Sequence, residues 1–128
     1  REAQSFFTRI TDERYTRVVK PVDGSDIYIE EATGGRKKID ELSRGTAEQL
    51  YLALRFGYIR DYVTSSAPVP VIFDDILVNF DPERRKNACR AIADLAETCQ
   101  ILYFTCHPQM VDDLVEARPD AVVMDIGE

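Results

Sequence analysis

Ala3, Phe6, Phe7 and Ile10 recur at helical spacing, so the chain opens on a predicted amphipathic helix within residues 1–14. Tyr15 to Val19 alternates and reads as a strand. Asp23-Gly24-Ser25 is a turn signal, and Asp26 to Glu31 reads as a second strand, which makes a hairpin. Gly34-Gly35 turns the chain again before Lys37 to Ile39. Residues 15–40 are therefore expected to form a small antiparallel unit.

The period then changes. Leu52, Phe56, Ile59 and Val63 mark one helical face, and Leu50, Ala53 and Leu54 widen it, which predicts a long, well-buried helix. It begins near Ser43 to Thr46, where Thr46 and Gln49 have capping-box spacing, and ends at Ser65-Ser66-Ala67-Pro68. Val69 to Phe73 is a continuous apolar run, as expected of a strand covered on both faces. Asp81 and Pro82 fit the N-cap and first position of a second helix, with Ala88, Ile92, Leu95, Ala96 and Cys99 inward. Gln100 to Thr105 reads as another central strand. Pro108 opens a short helix with Met110, Val111, Leu114 and Val115 inward, and Ala121 to Ile126 reads as a last strand. Strand, helix, strand, helix, strand implies an α/β fold: a parallel sheet with right-handed crossovers, flanked by helices.

Composition narrows the class. The 128 residues suit one compact domain, and its apolar runs are too short to span a bilayer, so no membrane partner is expected. The charged, amphipathic start is unlike a secretory signal, and Arg1 in place of Met suggests a piece of a longer polypeptide. A net charge of -7 disfavours nonspecific nucleic-acid binding. Arg36-Lys37-Lys38 and Arg84-Arg85-Lys86 are the basic clusters that could offset it, although charge runs are mostly solvated faces. Cys89, Cys99 and Cys106 are odd in number and widely spaced, which points to a reducing cytoplasm. Cys106 beside His107 hints at zinc, but no Cys-x-x-Cys supports it, and all three read as buried free thiols.

The candidate chemistry lies at strand ends. Asp74 and Asp75 close the Val71-Ile72-Phe73 strand on the edge where open α/β sheets bind ligands. Adjacent carboxylates repel each other unless a cation or a proton offsets them. A Mg²⁺ bound to nucleotide phosphates is one natural partner for the first, and the second can orient or deprotonate a water. The alternative is a loop cap and a solvated neighbour. His107, the single histidine, follows the next strand and can reach the same edge. Leu42-Ser43-Arg44-Gly45 precedes a helix N-terminus, where N–H groups and the positive dipole end favour anions.

In this order the segments resemble the C-terminal lobe of SMC/RecF-like ABC ATPase heads, a partial P-loop NTPase head. Leu42 to Thr46 looks like the signature motif, Val71 to Asp75 like Walker B, Asn79-Phe80-Asp81 like the D-loop and His107 like the switch histidine. Ser43 to Arg55 and Asp74 to Asp81 resemble in particular blocks of the YhaN-like group of coiled-coil bacterial ATPases. The resemblance implies that residues 1–14 end a coiled coil and that 41–128 carry the four motifs. It implies that Asp74 holds Mg²⁺ through water and that Asp75 stands in place of the usual catalytic glutamate. His107 would sense the γ-phosphate. Ser43, Arg44 and Gly45 would meet ATP bound to a second head, with Asp81 working across the same dimer. DNA association and a repair or chromosome-maintenance role also follow from the resemblance alone.

No Gly-x-x-x-x-Gly-Lys-Ser/Thr phosphate loop occurs in the chain. The resemblance assigns that loop to an N-terminal Walker A lobe, so the chain alone is expected neither to bind ATP tightly nor to hydrolyse it. Two other readings stand beside this one. A Toprim-like metal-dependent nuclease core also uses strand-end acids, but expects a spaced Asp-x-Asp pair and an earlier glutamate. A noncatalytic dimerisation module would keep the ABC surface without its chemistry.

Overall fold

The computed structural model describes residues 2–24 and 26–127. The chain divides into two compact units, Arg1–Pro68 and Val69–Glu128.

In the first unit, helix α1 (Glu2–Ile10) buries Phe6, Phe7 and Ile10, as the opening stripe predicts. The chain then turns through Asp12 and Glu13, both left-handed with φ of 54° and 62°. Strands β1 (Tyr15–Val19), β2 (Tyr28–Glu31) and β3 (Arg36–Lys38) form an antiparallel sheet in that order. Gly34, at φ 95°, supplies the turn between β2 and β3 that a side chain would strain. The strands are shorter than expected. Asp26 lies before β2, and Ile39 leaves β3 to open a 3-10 turn, Ile39–Glu41. There Glu41 accepts a hydrogen bond from the Lys38 N–H at 2.7 Å. The expected turn at Asp23-Gly24-Ser25 falls partly on Ser25, outside the described residues, as do the terminal Arg1 and Glu128.

Helix α2 (Arg44–Ser65) is capped by Ser43 and not by Thr46. The expected Thr46–Gln49 capping box fails because both residues lie inside the helix and are buried. Ser43 Oγ accepts from the Thr46 N–H at 3.2 Å and donates to Thr46 Oγ1 at 2.9 Å. Gln49 instead donates its side-chain N–H to the Ile10 carbonyl at 2.9 Å, closing the end of α1. Leu50, Leu52, Ala53, Phe56 and Val63 are buried, whereas Leu54 is exposed and Ile59 half-buried, so the apolar face is narrower than predicted. Helices α1 and α2 meet closely. Phe6 and Phe56 pack edge to face at 5.5 Å, and the Arg60 guanidinium lies 4.4 Å from the Phe6 ring centroid. A Cβ on Gly57 would stand 2.6 Å from the Ala3 backbone nitrogen, so only glycine fits that crossing.

In the second unit, β4 (Val71–Asp74) and β5 (Ile101–Phe104) pair in parallel, with Val71 opposite Ile101 and Asp74 opposite Phe104. Helix α3 (Pro82–Leu95) connects them, and α4 (Pro108–Ala117) follows. Asp81 caps α3 as predicted, accepting from the Arg84 N–H at 3.0 Å. Ala88, Ile92, Leu95 and Cys99 are buried, and Ala96 is half-buried. In α4, Met110 is buried but Val111, Leu114 and Val115 only partly so. Asp113 is buried too, and it pairs with Arg85 of α3.

Two expectations fail here. Val69 to Phe73 is not covered on both faces: Phe73 is buried while Ile72 is 65% exposed. Ala121 to Ile126 forms no strand, and Val122, Val123, Met124 and Ile126 are all exposed. Both have one cause. A strand needs a neighbour for its backbone groups and a layer for each apolar face. Among the described residues this sheet has two strands, and its open face is bare.

Candidate functional site

Parallel pairing brings the ends of β4 and β5 side by side, so the residues just beyond them share one edge. Asp75 leaves β4 with φ 49°, a left-handed conformation uncommon outside glycine. Its N–H donates to the Phe104 carbonyl at 2.9 Å, which ties it to the end of β5. The Thr105 hydroxyl donates to Asp75 Oδ1 at 2.9 Å and accepts from the His107 N–H at 3.1 Å. His107 Nε2 lies 3.2 Å from Asp75 Oδ2. One threonine hydroxyl thus fixes both the carboxylate and the backbone that carries the imidazole. Held this way, Asp75 and His107 can act on one proton or one polar ligand atom.

Asp74, the last residue of β4, is exposed at this edge, with Asp75 half-buried beside it. An exposed carboxylate on a strand end is a suitable hard oxygen donor for Mg²⁺ held through water. The turn after Asp75 is anchored by Leu77, which is fully buried and whose N–H donates to Tyr103 Oη at 3.2 Å. Burial pushes the Tyr103 phenol up to about 12, so it stays a neutral hydrogen-bonding group. The sequence pattern points to neither Thr105 nor Tyr103 as a site residue. The one signal for Thr105 is its place between a strand and the histidine.

Asp81 caps α3, and Arg84 forms a 3.4 Å ion pair with it. The cap uses Oδ1 and the ion pair Oδ2. Ser43, Arg44 and Gly45 belong to the first unit, at the N-terminus of α2. Arg44 is 94% exposed in its side chain, with Glu48 at 3.5 Å. That end carries the positive end of the α2 dipole, which favours an anion.

The basic clusters are paired internally. Arg36 and Arg17 both meet Glu30, Lys37 meets Glu31 and Lys38 meets Asp26. Arg84, Arg85 and Lys86 meet Asp81, Asp113 and Glu116. The cysteines correct the reading of three buried thiols: Cys89 and Cys99 are buried, but Cys106 is exposed at the strand-end site.

The fold has neighbours among solved structures. A structure from work on ATP-driven dimerisation and DNA-stimulated activation of SMC ATPases superposes with a TM-score of 0.67 and 21% identity, over 88% of this chain and 69% of that one. The fold is that of an SMC ATPase head. The Smc head domain of Pyrococcus furiosus, with an extended coiled coil and the C-terminal domain of ScpA, matches at 0.61 and 21% identity, over 88% of this chain and 29% of that one. An Smc head bound to the C-winged helix domain of ScpA matches at 0.63, again with 21% identity, over 88% of this chain and 35% of that one. In sequence, the uncharacterized protein YhaN of Bacillus subtilis is 38% identical over 113 residues, 86% of this chain. The chain spans 11% of that relative's length. No protein-family model matches. The SMC/YhaN-like C-terminal lobe expected from the sequence is thus found in the fold and in the YhaN match. No helix of the SMC-like lobe is long and apolar enough to cross a membrane, among the described residues.

Proposed function

We propose that this chain is the C-terminal part of an ATP-hydrolysing SMC/YhaN-like head. It would supply the signature motif, Walker B, D-loop and switch histidine of a site completed by other lobes. The observation that carries this reading is the Asp75–Thr105–His107 arrangement at the C-terminal edge of a parallel strand pair. Asp75 orients and deprotonates the attacking water, with Thr105 holding its carboxylate in place. His107 donates to the γ-phosphate and reports its presence. Asp74 is the residue that would hold Mg²⁺, which when bound supplies charge neutralisation for the phosphates. Ser43, Gly45 and the α2 N-terminus bind the γ-phosphate of ATP on a second head, and Asp81 works across the same dimer.

The partners follow from this division of labour. The Walker A loop would come from an N-terminal lobe of the same protein, as the likeness to SMC/YhaN-like heads suggests. The working unit is an ATP-dependent pair of heads in the cytoplasm, associated with DNA during repair or chromosome maintenance. Any DNA contact lies mainly outside this chain, because its basic clusters are already matched by carboxylates.

The test is steady-state ATP hydrolysis by the complete head. Asp75→Asn is expected to lower kcat by about 10²–10⁴-fold, the usual worth of a positioned general base. Asparagine also tolerates the left-handed backbone at this position and keeps an oxygen for the Thr105 hydroxyl, so the fold should survive the change. Ser43→Arg should block the composite site and abolish ATP-dependent pairing of heads while leaving ATP binding intact. Turnover unaffected by both changes would refute the assignment, as would robust hydrolysis by this chain alone. A complete head that pairs without ATP would instead support a noncatalytic dimerisation module.

A further inference from the structure

Asp75, Cys106 and His107 place one carboxylate oxygen, one thiol sulfur and one imidazole nitrogen within 4.8 Å of one another. No sequence motif announces this set, because the third donor comes from the end of the other strand. Parallel pairing of β4 and β5 delivers it. The bend at Cys106 turns two adjacent residues, which an extended strand would send to opposite faces, toward the same carboxylate.

We propose that these three residues form a binding site for a borderline-soft divalent cation, Zn²⁺ in the first instance. The donor set decides the class. Sulfur, nitrogen and oxygen together suit Zn²⁺ or Co²⁺, whereas Mg²⁺ and Ca²⁺ take oxygen donors. Bonds of about 2.0–2.3 Å place tetrahedral donors roughly 3.5 Å apart. The His107–Asp75 separation of 3.2 Å is already there. The remaining closure falls to Cys106, which is exposed and can change rotamer without disturbing the core. Asp75 is the fixed point of the site, held by the Thr105 hydroxyl and by its own N–H on Phe104. Such carboxylate partners raise the affinity of a site by keeping the ligand oriented. Exposure of Cys106 and His107 leaves a direct path for the ion. Three protein donors leave a fourth position for water or another oxygen ligand. On binding, the thiol releases its proton to solvent, the imidazole binds neutral and the carboxylate binds ionised.

Binding does not depend on the ATPase reading, and its test uses no turnover. Under that reading, however, the ion would withdraw Asp75 and His107 from catalysis, so zinc would act as an inhibitor distinct from the Mg²⁺ held by Asp74.

The experiment is titration of the protein with Co²⁺, read by the thiolate-to-cobalt charge-transfer absorption in the near ultraviolet, followed by displacement with Zn²⁺. One equivalent of cobalt thiolate is expected, bleached by Zn²⁺. Cys106→Ser should remove the band, and His107→Ala and Asp75→Asn should each weaken binding by at least about tenfold. In the unmodified protein, Zn²⁺ should slow alkylation of Cys106 and a chelator should restore it, a readout that no folding defect can mimic. Absence of the band, its survival in Cys106→Ser, unchanged affinity in the other two variants, or alkylation indifferent to Zn²⁺ would each overturn the proposal.

Discussion

Cys89 and Tyr103 are the residues through which the second unit senses alkaline pH. Burial pushes the Cys89 thiol from its ordinary value near 9.0 up to about 12, with Asp113 adding to the rise, and burial pushes Tyr103 from 10.0 to about 12. For an acid whose folded pKa is raised, the unfolded chain loses its proton first. Stability contributed by these two groups is therefore intact below about pH 9 and falls as pH climbs toward 12. Denaturant unfolding at pH 8, 10 and 11 should show this loss, and Cys89→Ala should remove the part that begins at the lower pH. The same residues show what sequence hides. Asp74, Asp75 and His107 were legible as candidates because they are polar residues at the ends of apolar runs. Tyr103 and Thr105 were not, because nothing in a strand's pattern reveals which hydroxyl faces the neighbouring turn. The exposure of Cys106 is hidden for a related reason: a short apolar-to-polar boundary does not show where a bend will fall.

Among the elements, the α1–α2 seam makes the sharpest prediction. Alanine is the better helix former than glycine by about 1 kcal/mol. Gly57→Ala should nonetheless destabilise, because its Cβ would stand 2.6 Å from backbone at Ala3, and overpacking of this kind costs about 1–3 kcal/mol. A urea midpoint that rises would contradict this contact. In the second unit, Asp113→Ala leaves Arg85 without its buried partner, and loss of about 3 kcal/mol is expected, the lower end for a buried pair because Arg85 is partly open to water. Thermal unfolding of this variant and of Asp113→Asn checks it. Helices were the most legible elements, with α1, α2, α3 and α4 all present where their stripes placed them. Caps were less so: Ser43 and Thr46 are both plausible from composition, and only burial of Thr46 decides between them. Strands were least legible where their partners are absent from the described residues. Ala121 to Ile126 has the right composition and no neighbour to pair with.

At the scale of the whole molecule, apolar surface governs solution behaviour. Ile72 and Phe104 are exposed on the two-stranded sheet, and Val122, Val123, Met124 and Ile126 follow in an exposed segment. Each strand of that sheet also has an edge with no partner among the described residues. The chain alone is therefore expected to self-associate with rising concentration, and co-expression with a Walker A lobe should suppress it. Sedimentation velocity over a tenfold concentration range tests both; a concentration-independent monomer would show that the bare face is tolerated.

The crossing at Gly57 has one more consequence. Two helices in such close contact cannot slide past each other, and the Gln49 hydrogen bond to Ile10 pins the far end of the same seam. The joint is keyed rather than lubricated. The seam is fastened at both ends, at Ala3–Gly57 and at Ile10–Gln49, so within the first unit the two helices are held to one another as a clasp holds two rods.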